Sequence, residues 1–262
     1  MKAKVIAAAA FISVAAIGVL NAADLQPPFI VPPTKPTSIN GWTFAGSPYF
    51  WGANISGDVR QFGLPEIHLK SDFRDVLKDL EFGFMAVGEA RYDRFSIFGD
   101  IIYTKVSSGA ATPLGIVSGR IDVTSETLSG LIGGGYAVLQ DGRSTIDIVA
   151  GARIWHVSTD IDFSGGLLND LAGRDSGSWV DAMTGYRARY FLSDQFYLSS
   201  WGLVGAGQAK LDWDVAAGLG YEFNDQISAV AGYRALGVDY NQDDFVFNVV
   251  QQGPILGLVV RF

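Results

Sequence analysis

Residues 81–92 read EFGFMAVGEARY. In an extended chain successive side chains point to opposite sides, so Phe82, Phe84, Ala86, Gly88 and Ala90 fall on one face while Glu81, Gly83, Glu89 and Arg91 fall on the other. The pattern recurs in 145–154 (TIDIVAGARI), 179–190 (WVDAMTGYRARY) and 211–223 (LDWDVAAGLGYEF), where Asp147 and Arg153, then Asp181, Arg187 and Arg189, then Asp212, Asp214 and Glu222 oppose an apolar face. Each is a strand with one oily and one polar side.

Ten such segments follow one another, at about 42–56, 81–92, 95–106, 120–139, 144–160, 178–191, 196–208, 211–223, 227–240 and 247–262. Very short connections (92–94, 140–143, 192–195, 224–226) alternate with longer ones at 57–80, 107–119, 161–177 and 241–246. An even number of strands joined this way puts both termini at the short-turn end. The short outer connection at 205–210 is the weak point, and the count falls to eight if two segments pair only as an outer ribbon.

A soluble sandwich also alternates, with its apolar face inward. Three features choose a membrane barrel instead. The segments match the ~9–11 residues of a tilted membrane strand, aromatics gather at their ends, and the chain begins with an export signal. That signal is Lys2 and Lys4, an apolar run from Val5 to Leu20, then small residues, so residues 1–23 are expected to be a leader cleaved after Ala22 or Ala23. Residues 24–41 hold five of the nine prolines and are expected to form an extended periplasmic lead-in to a barrel over 42–262.

Composition excludes several functions. Hydrophobic residues make up 48%, mean hydropathy is +0.22, and 27 acidic against 19 basic residues give a net charge of −8, which disfavours nucleic acid. There are no cysteines for disulfides, lipoprotein anchoring or thiolate metal sites.

The chain ends GPILGLVVRF, with Leu256, Leu258, Val260 and the terminal Phe262 alternating on one face. This resembles the C-terminal signal of Gram-negative outer-membrane proteins, and the resemblance implies recognition by the barrel-assembly machinery. The AADL start of the mature chain resembles that of small alphaproteobacterial outer-membrane barrels of porin-like type. The resemblance implies the cell outer membrane, with its lipid and lipopolysaccharide as surroundings.

Polar faces projected inward place Glu81, Glu89, Arg91, Asp100, Asp122, Glu126, Asp147, Arg153, Asp181, Arg187, Arg189, Asp212, Asp214, Glu222, Arg234 and Arg261 in a net-acidic lumen. An unpaired charge there is costly, so carboxylate–arginine pairs between neighbouring strands are expected. In so narrow a barrel they form either a plug or a narrow path favouring small polar or cationic solutes. Trp51, Tyr103, Trp213, Tyr221 and Phe223 are expected as interface aromatics. Pro48, inside the first strand, calls for a bulge. In the fourth segment, Ser125, Thr127 and Ser129 fall in phase with Ile121 and Val123, read as lipid-facing.

Chemistry-bearing motifs are sparse. His156, with Asp160, Ser158 and Asp162 nearby, is a weak candidate for a rim hydrolase, and alternation turns its ring toward lipid. Gly133, Gly134 and Gly135 precede no helix and are read as room for Tyr136. In SDFRDVLKDL (71–80), Phe73, Val76, Leu77 and Leu80 share one helical face, with Ser71 or Asp72 as N-cap, forming a short helix that is either a lid or a rim element. No cofactor or metal is expected. The functional readings are a structural barrel or narrow diffusion channel, an adhesion barrel acting through loops 57–80 and 161–177, and, behind both, the rim hydrolase.

Overall fold

The computed structural model describes residues 41–111, 120–166, 171–242 and 244–262. The expected leader and nearly all of the proline-rich lead-in lie outside them.

Twelve strands and one helix follow in chain order: β1 Trp42–Trp51, β2 Asn54–Arg60, β3 Ile67–Ser71, α1 Phe73–Asp79, β4 Leu80–Tyr92, β5 Phe95–Ala111, β6 Arg120–Asp141, β7 Ser144–Ser164, β8 Ala172–Phe191, β9 Phe196–Gly207, β10 Leu211–Glu222, β11 Ile227–Gln242 and β12 Phe245–Arg261. Every neighbour pair is antiparallel, and β1 pairs with both β4 and β12, closing a ten-stranded barrel with β2 and β3 as two extra strands. The β9–β10 ladder runs from Asp212↔Gly205 to Tyr221↔Phe196, so both are full members of the wall and the count is ten, not eight.

The wall is apolar outside. Phe44, Phe84, Ile97, Ile132, Ile148, Val180, Leu198, Val215, Leu219, Leu256 and Leu258 are exposed, while their sequence neighbours turn inward. Such a girdle far exceeds the apolar patches of water-soluble monomers and fits a bilayer. The strands span a membrane.

Wall height is uneven. β9 and β10 have 12 residues each, near what a crossing needs, whereas β6, β7 and β8 have 22, 21 and 20. Segment 161–177, expected as a loop, is therefore mostly strand: β7 runs to Ser164 and β8 starts at Ala172. Likewise 57–80 contains the end of β2, all of β3 and α1. Alternation continues into these stretches, but their polar outward residues resemble loop sequence.

Pro48 makes no bulge. It stays in register with Ala86 of β4; its nitrogen, in phase with the Phe44 amide that donates to Phe262, is on the β12 side, and the β1–β12 ladder is interrupted at Ser47 and Pro48 without a change of register. Beyond a break at Gly52 and Ala53 the chain continues as β2, which pairs with β12 on one side and β3 on the other. Bulges fall instead at Leu80/Phe82 and Ala137/Leu139.

α1 connects β3 to β4. Its N-cap, Asp72, makes no side-chain cap; the Phe73 amide instead donates to Asn54 Oδ1 at 2.7 Å. The Phe73 ring meets Phe50 edge-on at 5.6 Å, and Phe50 is on the lipid-facing side, which places the helix on the rim rather than over the lumen. Phe73→Ala removes an aromatic contact worth about 1 kcal/mol beyond its burial. Tryptic cleavage at Arg74 and Lys78 in detergent is then expected to quicken by about fivefold or more. An unchanged rate would mean that the ring does not hold the helix.

Candidate functional site: the filled lumen

The inward side chains form three levels. At the long-loop end lies an apolar plug. Trp51, Ile102, Trp155, Val157, Trp179, Leu236, Val238, Tyr240, Phe245, Phe247 and Val249 are all buried and make one cluster. Trp179 stacks on Tyr240 at 4.1 Å and on Trp155 at 5.7 Å. Trp51, expected at the membrane interface, belongs to this plug because Tyr49 and Trp51 share the inward phase of β1 and Phe50 the outward one. Tyr103, Trp213 and Tyr221 are half-buried and Phe223 is exposed. Tyr103 packs near Phe82, and Tyr221 packs near Phe223.

The top of the plug is held down by hairpins. The Phe62 amide, at the β2–β3 tip, donates to Asp175 Oδ2 of β8 at 2.6 Å. Gly177 of β8 lies under the Phe245 ring, which would be 2.8 Å from any Cβ there. The short β9–β10 connection folds onto β8 as well: Gln208 Oε1 accepts from the Val180 amide, and Asp181, wholly buried, accepts from the Ala209 amide, both at 2.8 Å. These contacts occupy part of the β8 edge that rises above β9.

The middle level is an ion-pair network. Arg153 donates Nη1 to Asp212 Oδ1 (2.8 Å) and Nη2 to Asp214 Oδ2 (2.6 Å). Arg234 grips Asp214 with Nε and Nη2 (3.1 and 2.7 Å), reaches Asp100 Oδ2 with Nη2 (2.6 Å) and donates Nη1 to the Tyr49 hydroxyl (2.7 Å), which itself donates to Asp100 Oδ1 (2.7 Å). The indoles of Trp155 and Trp201 donate to Asp212 and Asp214 at 2.8 and 3.0 Å, tying the plug to the charges. Arg153, Arg234, Asp212 and Asp214 are at most 1% exposed.

Below, toward the short turns, lies a cavity of about 180 Å³. Glu89, Arg91, Asp147, Arg187 and Arg189 line it with Phe98 and Trp201. Arg91 pairs with Asp147 and with Glu89 (3.1 Å), and Arg187 pairs with Glu89 (2.9 Å). At the end, Arg143 and Arg261 both pair with Glu222, the latter at 2.9 Å.

Most of these pairs cross the lumen rather than joining neighbouring strands: β7 to β10, β4 to β7, β8 to β4 and β11 to β5. The bore is narrow enough for long arginine side chains to span it.

Three expectations about facing are corrected. Glu81 is at the outer rim, about half exposed and 3.2 Å from Lys105, because the Leu80/Phe82 bulge ends the regular alternation there. Glu126 lies 3.7 Å from that same lysine, and Asp122, also at the rim, pairs with Arg120. In β6 the inward residues are Thr127 and Ser129, opposite the buried Val157 and Trp155, and Ile121 and Val123 share their phase. The lipid face is Ile132, Tyr136 and Val138. Gly133 makes room not for Tyr136 but for Phe98, whose ring would stand 2.7 Å from a Cβ.

His156 Nδ1 lies 2.7 Å from Ser178 Oγ, and Asp160 pairs with Arg174 at 3.7 Å, so the histidine and its expected carboxylate have separate partners. Among the described residues no group of three or more His, Asp or Glu side chains converges as metal ligands would.

Tyr49 and Trp201 are site residues that sequence reading missed, and Trp51 is one that it placed at the interface instead of in the bore. Their strands carry apolar residues on both faces, and the available signal was register, two residues at a time, from Tyr49 to Trp51 and from Tyr197 to Trp201.

No family model and no curated protein matches the chain. Solved structures similar to it are outer-membrane proteins. The outer-membrane protease OmpT from Escherichia coli is 10% identical, with 84% of this chain and 97% of that one covered, at a TM-score of 0.49. Ail, the attachment invasion locus protein of Yersinia pestis, is 13% identical over 85% and 99% at 0.37, and Neisserial surface protein A is 16% identical over 85% and 97% at 0.29.

Proposed function

We propose that the chain is an integral outer-membrane barrel with a structural role, sealed to solute passage and presenting the tall β5–β8 wall outside the cell. One observation carries this reading: buried aromatics packed over a layer of arginine–carboxylate ion pairs fill the upper and middle bore, with contributions from strands all round the wall. An ion entering from the long-loop end would have to displace Trp155, Trp179 and Tyr240 and then part Arg153 and Arg234 from their carboxylates. Each separation costs several kcal/mol.

The expected result is silence in planar-bilayer recordings from protein whose folding is verified by heat-modifiable gel migration. Discrete single-channel steps from the same preparation would sink the sealed reading and favour the narrow channel. Adhesion is the second reading, favoured by strands about twice the length a crossing requires. Binding to cells or matrix should then be lost when 161–175 is replaced by a short turn and the barrel still folds.

A further inference from the structure

The lower half of the lumen is basic, although the chain as a whole is acidic. Five arginines, at 91, 143, 187, 189 and 261, face three carboxylates, Glu89, Asp147 and Glu222. Every one of those carboxylates is already engaged by two arginines or, for Asp147, by Arg91. Arg189 is left over. No ion pair among the described residues includes it, and its Nε is enclosed without a hydrogen-bond partner. It lines the cavity of about 180 Å³, whose other charged residues are Arg91, Arg187, Glu89 and Asp147 and, from the layer above, Asp100 and Asp214, both held by Arg234. Arg187, two residues away on the same face, commits Nη1 to Glu89.

We propose that Arg189 anchors a small oxyanion, of carboxylate or phosphate type, in this cavity. Glu89 is the nearby carboxylate, but it is held directly by Arg91 and Arg187, so Arg189 has no ion pair of its own; its planar fork of donors matches two oxygens of one anion. The cavity volume admits an anion of that size with a few waters. Phe98 and Trp201 give the cavity an apolar flank. This inference is independent of the sealed reading, since a dead-end site needs no through path. It also reverses the cation preference that the overall acidity implies.

The test uses the full chain folded in detergent, with inorganic phosphate and acetate as probes at constant ionic strength set by chloride. Unfolding is followed by the gel shift across a urea series, and binding by calorimetry. At a probe concentration one hundred times its Kd, the folded-to-unfolded ratio should rise about a hundredfold. Arg189→Gln should weaken probe binding tenfold or more. Should that variant fail to fold, Thr145→Glu serves instead, because Thr145 is inward and directly opposite Arg189 in the β7–β8 ladder. It supplies the missing carboxylate from within the chain, so the variant should fold and bind neither probe. Wild-type protein that binds neither probe, or binding unchanged by Arg189→Gln or by Thr145→Glu, overturns the proposal.

Discussion

Replacing Arg234 with methionine is expected to destabilise the folded barrel by about 3–5 kcal/mol. The cost comes from what the guanidinium leaves behind. Asp100 would keep only the Tyr49 hydroxyl, while Asp214 would keep Arg153 and the Trp201 indole. Both carboxylates border the cavity of about 180 Å³, and water there replaces the fixed donors of the guanidinium only in part. The midpoint of a urea series, read by heat-modifiable migration in detergent, measures the effect. Asp100→Asn in the same background should recover part of the loss, because removing both partners of a pair costs less than stranding one. A change below about 1 kcal/mol in the single variant would mean that solvent reaches the network and compensates it.

Trp179→Ala is expected to cost a similar ~3–5 kcal/mol by a different route, since it deletes a large buried ring and leaves a cavity. The ring is 1% exposed and packs against Tyr240, Trp155 and Phe247, so collapse into the gap would require three other aromatics to shift together. Two measurements are needed. The urea midpoint reports the lost packing, and bilayer recording reports the seal. The variant should stay silent, because the Arg153 and Arg234 layer lies beneath the plug and is untouched. Frequent openings would show that the aromatics alone close the bore and that the charge layer passes ions.

The apolar outer face was readable in the sequence for a simple reason. In β4, β7, β8 and β10 the lipid side requires oily residues and the lumen side carries charge, so the contrast survives as alternation. Where the lumen side is itself aromatic, contrast vanishes. Tyr49 and Trp51 in β1, and Tyr197 and Trp201 in β9, sit in stretches that read as apolar on both faces. At the rim the opposite happens: Ser125, Thr127 and their neighbours are polar on both faces, and a one-residue uncertainty reverses inside and outside.

The amino-acid sequence by itself determined an antiparallel membrane barrel, the ends at which its turns and loops lie, and most inward charges of its regular segments, while the β9–β10 ladder decided for ten strands over eight. Those properties depend on local period and turn length, which neighbours in the chain decide. Only the tertiary structure decided that Arg153 and Arg234 meet Asp100, Asp212 and Asp214 across the bore, that four aromatics pack above them, and that Arg189 enters no ion pair among the described residues. Partners in a closed barrel are set by shear and diameter, which bring strands far apart in sequence to one level of a narrow bore.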